Sequence, residues 1–145
     1  MKDLIDKLTK VQEYIENDLK DEVGILAKNF FKKSFRDEGF TDKKVTKWTE
    51  VKRRQDKTGR GAGASRKILT GETKALQDSI EYNTTRDGVE ITSDVVYAQI
   101  HNEGGKAGRN GSATIPKRQF IGESDELNRQ FTDEITKVID KRLKT

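Results

Sequence analysis

Leu4, Leu8, Val11, Ile15, Leu19, Val23, Leu26 and Phe30 recur every three or four residues, with Lys, Asp, Glu, Asn and Gln between them. That is the spacing of one helical face. It predicts a long N-terminal helix over about residues 3–35, interruptible near Gly24, where a mid-helix glycine is mildly unfavourable. At about 1.5 Å per residue it would run close to ~50 Å. Its stripe must be covered by the protein's own sheet or by a neighbouring subunit. Phe30, Phe31, Phe35 and Phe40 crowd its end, and Gly39 is a plausible stop. Further on, Ile80–Thr85 and Val89–Thr92 alternate with period two about Asp87-Gly88, a strong hairpin signal. The pairing puts Tyr82 and Thr84 on the face of Val89 and Ile91. Glu72–Ser79 reads as a short helix with Ala75 and Leu76 inward. Ser93 is placed to cap a central helix with Asp94 in its first turn. Val96, Tyr97 and Ile100 would form that helix's inner face, and Gly104 its left-handed end. Residues 106–113 read as loop, and Ile115–Ile121 as a strand or extended segment set by Pro116. The closing helix is the clearest: Ser124 caps it, Asp125 and Glu126 fill its first turn, and Leu127, Phe131, Ile135, Val138 and Arg142 (or Leu143) mark one face. Lys141, Arg142 and Lys144 complement its C-terminal dipole. The sum is an α+β fold: a long N-terminal helix, a small antiparallel sheet with a hairpin, a short central helix and a C-terminal amphipathic helix.

Composition narrows this. The length of 145 residues suits a single domain (1–145) without internal repeats, but only 31% is hydrophobic against 37% charged. That balance implies a small core with long solvated elements, or surfaces completed by a partner. With no cysteine, disulfides and thiolate metal sites are excluded. The acidic N-terminus has no apolar run of the signal-peptide kind, and no window reaches the ~18 apolar residues of a membrane helix. The reading is a protein made and used in the cytoplasm, with no membrane partner.

The net charge of +4 is mild, but it is unevenly placed. Lys43, Lys44, Lys47, Lys52, Arg53, Arg54, Lys57, Arg60, Arg66 and Lys67 oppose only Glu50 and Asp56, a local net of +8 (ten minus two). Little apolar recurs in residues 43–67, which read as a flexible basic loop. With Trp48 available for stacking, it is the best case for nucleic acid; the competing reading is a solvated loop that orders on a protein partner. Gly59-Arg60-Gly61-Ala62-Gly63 echoes a dinucleotide fingerprint but lacks the preceding strand that the mechanism requires. His101 is the sole histidine, so a His pair or His-rich metal site is impossible. A catalytic base needs a positioned partner, and none is implied for it. A hydrolase using His101 is therefore the weakest reading, and no cofactor is expected.

Four elements in order carry a resemblance: Trp48 with Val51; Ile68-Leu69-Thr70-Gly71 with Leu76 and Ser79-Ile80; Tyr97-Ala98 with Ile100-His101 and Gly104-Gly105; and Ile115-Pro116 with Arg118, Phe120, Ile121 and Gly122. Over about residues 45–143 the chain resembles the phage virion morphogenesis family, the tail-completion proteins of Mu-like phages. It departs from the pattern in the longer gap between Gly71 and Leu76, and in Lys47 where a proline usually precedes the tryptophan. The resemblance implies a structural, non-enzymatic subunit of an oligomeric ring that completes or joins the tail at the head–tail interface. Its partners would be other tail or neck proteins, with DNA contact through the basic loop as an option. It would act in the host cytoplasm during assembly and in the virion, in a phage or prophage. It also implies structural roles for Trp48, Thr70, Gly71, Tyr97, His101, Gly104, Gly105, Pro116, Arg118 and Phe120. Arg118 is expected to pair with a nearby acid, and Phe120 to pack under the helix ending at His101.

Overall fold

A computed structural model describes residues 1–55 and 63–145. It has the α+β architecture: two N-terminal helices, three antiparallel hairpins, two short helices and a long C-terminal helix. Helix α1 spans Lys2–Asn17 and α2 spans Leu19–Asp37. The interruption falls at Asp18 (φ −112°, ψ −30°), not Gly24. Asn17 and Asp18 are poor helix formers because their side chains compete for backbone groups. The break is shallow, since Asp18 still donates to Tyr14 O at 2.9 Å and accepts from Glu22 N at 3.1 Å.

Gly24 has a different job. A Cβ there would lie 2.2 Å from Tyr82 Cδ2, so the missing side chain lets the hairpin lie against α2. The buried face of α2 is Gly24, Ala27, Phe30, Phe31, Ser34 and Phe35, rotated from the stripe predicted through Val23 and Leu26. The helix ends at Glu38, not Gly39. Glu38 takes the left-handed conformation (φ 52°, ψ 43°) and its N–H donates to Ser34 O. Gly39 instead opens strand β1, where a Cβ would lie 2.6 Å from Thr46 O.

Strand β1 (Gly39–Thr41) pairs with β2 (Val45–Lys47), with Phe40 opposite Thr46. Residues 43–55 are therefore not a loose loop: a hairpin, buried Trp48 and a 3₁₀ turn at Lys52–Arg54 occupy them. Lys57, Arg60 and the glycine run through Ala62 lie outside the described residues. The short helix α3 (Ala75–Asp78) buries Leu76 but starts later than expected and leaves Ala75 exposed. Strands β3 (Glu81–Thr84) and β4 (Val89–Thr92) form the predicted hairpin, Tyr82 opposite Ile91 and Thr84 opposite Val89.

The central helix α4 is Ala98–Glu103. Ser93 does not cap it; its Oγ accepts from Val95 N at 3.2 Å and meets Ser79 Oγ at 2.6 Å. Nor do Val96 and Tyr97 face inward: Val96 is 98% exposed and Tyr97 47%, while Ala98 is buried. With the helix starting at Ala98, those two residues precede its first turn. The expected loop after it is a third hairpin, β5 (Gly105–Ala107) with β6 (Ala113–Ile115). β6 stops at the residue before Pro116, which has no N–H to continue a ladder.

Helix α5 (Asp125–Lys144) begins as expected. Ser124 Oγ accepts from Leu127 N at 3.1 Å and donates to Thr41 O at 2.7 Å, so the cap also ties α5 to β1. α5 lies against α1 and α2, with Leu127 buried and Phe131 packed on the core. The core joins Phe30, Phe31, Phe35, Phe40, Trp48, Ile68, Leu76, Ile80, Ala98, Phe120 and Leu127. None of its residues comes from α1, β2 or the β5–β6 hairpin. Tyr14, fully buried, is the point where α1 engages: its hydroxyl donates to Glu22, and the Arg142 guanidinium lies 5.1 Å from its ring centroid.

Candidate functional site

The residues singled out in sequence converge where α4, the 116–121 segment and the β2–3₁₀ connection meet. Extended segments cannot satisfy their own backbone, so their polar groups need partners from elsewhere. Trp48 is buried edge-on to Phe35, with ring centroids 5.6 Å apart, and its Nε1 donates to Gln119 O at 2.8 Å. One residue before Gln119, Arg118 is 8% exposed. Its Nε donates to Thr49 O at 3.0 Å and its Nη2 to Glu50 O at 3.4 Å, while its amide donates to His101 O at 2.8 Å. The expected carboxylate partner is replaced by two main-chain carbonyls. A forked donor suits two successive carbonyls, since it can reach both at once. Burial, then the neighbouring Arg53, holds Arg118 below the ordinary guanidinium value, with Glu50 opposing.

Phe120 is 1% exposed, and its ring lies 5.1 Å from that of Phe35 on α2. Its link to α4 runs through the backbone. Asn102 Oδ1 accepts from Phe120 N at 2.8 Å and Ile121 N at 3.0 Å, and Asn102 Nδ2 donates to Ile121 O at 3.1 Å. One amide side chain thus serves three main-chain groups. Sequence reasoning passed over Asn102 because it sits beside the more conspicuous His101. Its signal is a polar residue on the inward side of a helix that faces an unpaired extended segment.

Glu38 was also missed. Its carboxylate accepts from Ile68 N at 3.1 Å and pairs with Arg54. Burial alone would raise its pKa, but the Ile68 amide and the Arg54 guanidinium outweigh it and hold the carboxyl below the usual range. A glutamate in a left-handed turn has no distinctive sequence signature, since glycine is the usual occupant.

His101, in the last turn of α4, has its ring edge-on to Tyr97, centroids 5.9 Å apart. Its Nδ1 is buried without a hydrogen-bond partner among the described residues. Burial, reinforced by Arg118, lowers its pKa and keeps the imidazole neutral. The group facing it is a cation, which disfavours an imidazolium and gives a base nothing to orient it. Gly104 follows at φ +75°, with an added Cβ 2.9 Å from Lys117 N, so glycine is required for the close approach of the 116–118 segment. Gly105 (φ +146°) begins β5, and Pro116 ends the β6 ladder. Thr70 and Gly71 lie apart, in the turn before α3; Gly71 sits at φ +62° with open space around it.

The basic segment is largely engaged with the protein itself. Lys47 donates to Asp37 O, Arg53 to Gly63 O (3.0 Å) and Lys67 O (2.9 Å), and Lys67 to Arg36 O (2.8 Å). Arg54 pairs with Glu38 and Glu50, Arg66 with Glu72 at 3.1 Å, and Lys43 with Asp125 at 3.6 Å. Lys44 and Lys52 are exposed. Among the described residues no group of three His, Cys, Asp or Glu side chains could hold a metal ion, and no helix is long and apolar enough to cross a membrane. What the convergence accomplishes is mechanical. It locks three chain segments onto α2 and leaves Tyr97 and Val96 outside.

A family model described as the phage virion morphogenesis family matches residues 32–144. No curated protein and no solved structure gives a significant match. The matched span holds the entire convergence and begins inside α2, so α1 stands outside it.

Proposed function

Because the chain belongs to the phage virion morphogenesis family, we propose that its part in building the virion is to complete the tail at the head–tail interface, as a non-enzymatic subunit of an oligomer. The observation that carries the oligomeric part is the outer face of α1. Leu4, Ile5, Leu8 and Ile15 are 53%, 55%, 52% and 47% exposed. Apolar side chains half in water along about three turns of one helix form a surface that a partner would cover. Leu4, Leu8, Val11 and Ile15 follow the four-three-four spacing of a helix–helix seam. The charges beside it say which partner fits. Residues 2–10 carry Lys2, Lys7 and Lys10 against Asp3 and Asp6, whereas residues 11–17 carry Glu13 and Glu16 with no base, and Asp18 after them pairs with Arg142. A second copy of α1 laid antiparallel sets the lysine-bearing half over the acidic half, so the reading commits to self-association through α1.

The test is assembly. A Leu4→Glu/Leu8→Glu variant, complementing a phage that lacks the gene, should yield heads and tails that fail to join, or incomplete tails, by electron microscopy. Wild-type numbers of intact virions with that variant would overturn the role given to α1. Intact virions from a phage lacking the gene altogether would overturn tail completion.

A further inference from the structure

Helix α2 carries Lys32, Lys33 and Arg36, and Lys67 and Lys74 come from the segment leading to α3. Together these five cations line a groove of about 460 Å³, with no carboxylate in its wall. Asp37 pairs with the groove's own Lys33 at 3.1 Å in a half-exposed contact that a phosphate can replace, and Glu81 is engaged by Lys28 at 2.8 Å. Lys67 Nζ donates to Arg36 O at 2.8 Å and fixes the two walls together. Cations at the end of a helix complement its dipole, which accounts for Arg36 in the last turn of α2 and for Lys67 on the carbonyl of Arg36. It does not account for Lys74, which another segment brings to the same depression against mutual repulsion.

The groove has a definite chemistry. Four of its five cations are lysines, point charges suited to phosphate oxygens and not to bidentate carboxylate recognition. The one aromatic in its wall, Phe35, is 1% exposed, so no ring is available to stack an unpaired base or anchor a protein partner. From this we infer that the groove binds the phosphate backbone of double-stranded DNA without reading its sequence. The site is not the run of basic residues at 43–67; of that run only Lys67 takes part. The inference is independent of the tail-completion reading, and either can fail alone.

The test is binding of the intact protein to a fluorescent mixed-sequence DNA duplex across a salt series. Five neutralised phosphates predict a slope of about −4.5 in log K against log salt, or roughly 500-fold weaker binding at 200 mM than at 50 mM salt. A Lys32→Gln/Lys33→Gln/Lys74→Gln variant should show a slope of about −1.8 and only about a tenfold loss over that range. The single variant Lys74→Gln, the smaller perturbation of the fold, should reduce the slope by about 0.9. A control with the same charge removed elsewhere, Lys43→Gln/Lys44→Gln/Lys137→Gln, should keep the wild-type slope. The inference is overturned if the protein does not bind duplex at 50 mM salt, or if the control loses as much as the groove variant. It is equally overturned if single-stranded DNA, or polyglutamate standing for an acidic protein, binds more tightly than the duplex.

Discussion

Asn102→Ala is the sharpest perturbation of the convergence, because it removes one small side chain and leaves three main-chain groups without partners. Phe120 N (2.8 Å) and Ile121 N (3.0 Å) lose their acceptor, and Ile121 O loses its donor at 3.1 Å. A buried group left unsatisfied costs about 1–3 kcal/mol. Ile121 is half-buried, so water can recover part of its loss, while Phe120 is 1% exposed and recovers little. The sum expected is about 3 kcal/mol. In a chain of this length that lowers Tm by roughly 8 °C. Urea unfolding followed by Trp48 emission measures it, and the reporter is well placed, since Trp48 Nε1 holds Gln119 O next to the broken contacts. Asn102→Asp keeps the acceptor but sets an oxygen against Ile121 O, and should fall between wild type and alanine. A loss below ~1 kcal/mol for the alanine variant would refute the reasoning, because it would mean that water replaces Asn102 freely and the segment is not held by it.

Three further outcomes are expected. Gly24→Ala should destabilise by about 1–3 kcal/mol despite alanine's better helix propensity, because its Cβ would meet the Tyr82 ring at 2.2 Å; chemical denaturation of Gly24→Ala against Gly24→Ala/Tyr82→Ala should show the second change relieving part of the first. His101, with its pKa lowered by burial and then by Arg118, takes up its proton more readily unfolded than folded. The stability it confers is therefore full above the ordinary histidine value and falls as pH drops through the folded one; urea midpoints from pH 7.5 to pH 5 should fall less steeply for His101→Phe than for wild type. Arg118→Lys should cost about 1–3 kcal/mol in thermal unfolding, because an ammonium cannot span both Thr49 O and Glu50 O as the guanidinium does.

The elements whose period is local were legible. Helix α5, its Ser124 cap and the Tyr82–Ile91 hairpin follow from spacing and turn chemistry within a few residues. What was not legible depends on contacts distant in sequence. Gly24 reads as a helix breaker until Tyr82 is seen against it, and Glu38 reads as an ordinary helix residue until Ile68 N and Arg54 reach it. The segment from Lys43 to Gln55 looked unstructured because its apolar residues are few. A hairpin three residues per strand and one buried tryptophan are enough to order it once β1, Phe35 and Gln119 supply partners. The convergence itself was half legible: Trp48, Arg118 and Phe120 stand out by type and spacing, whereas Asn102 does not. The basic groove is assembled from residues 32–36, 67 and 74, and no window of the sequence contains it.

On the proposed reading this protein acts by fitting against other copies and building blocks through surfaces its own fold leaves open, α1 first. The most direct measurement is the mass of the intact protein in solution, by sedimentation or light scattering across a concentration series, for wild type and for Leu4→Glu/Leu8→Glu. The wild-type mass should rise with concentration above the 16.5 kDa of one chain, and the variant, with unchanged Tm, should stay at one chain. A wild type that remains a single chain at every concentration, or a variant that assembles as wild type does, would contradict it.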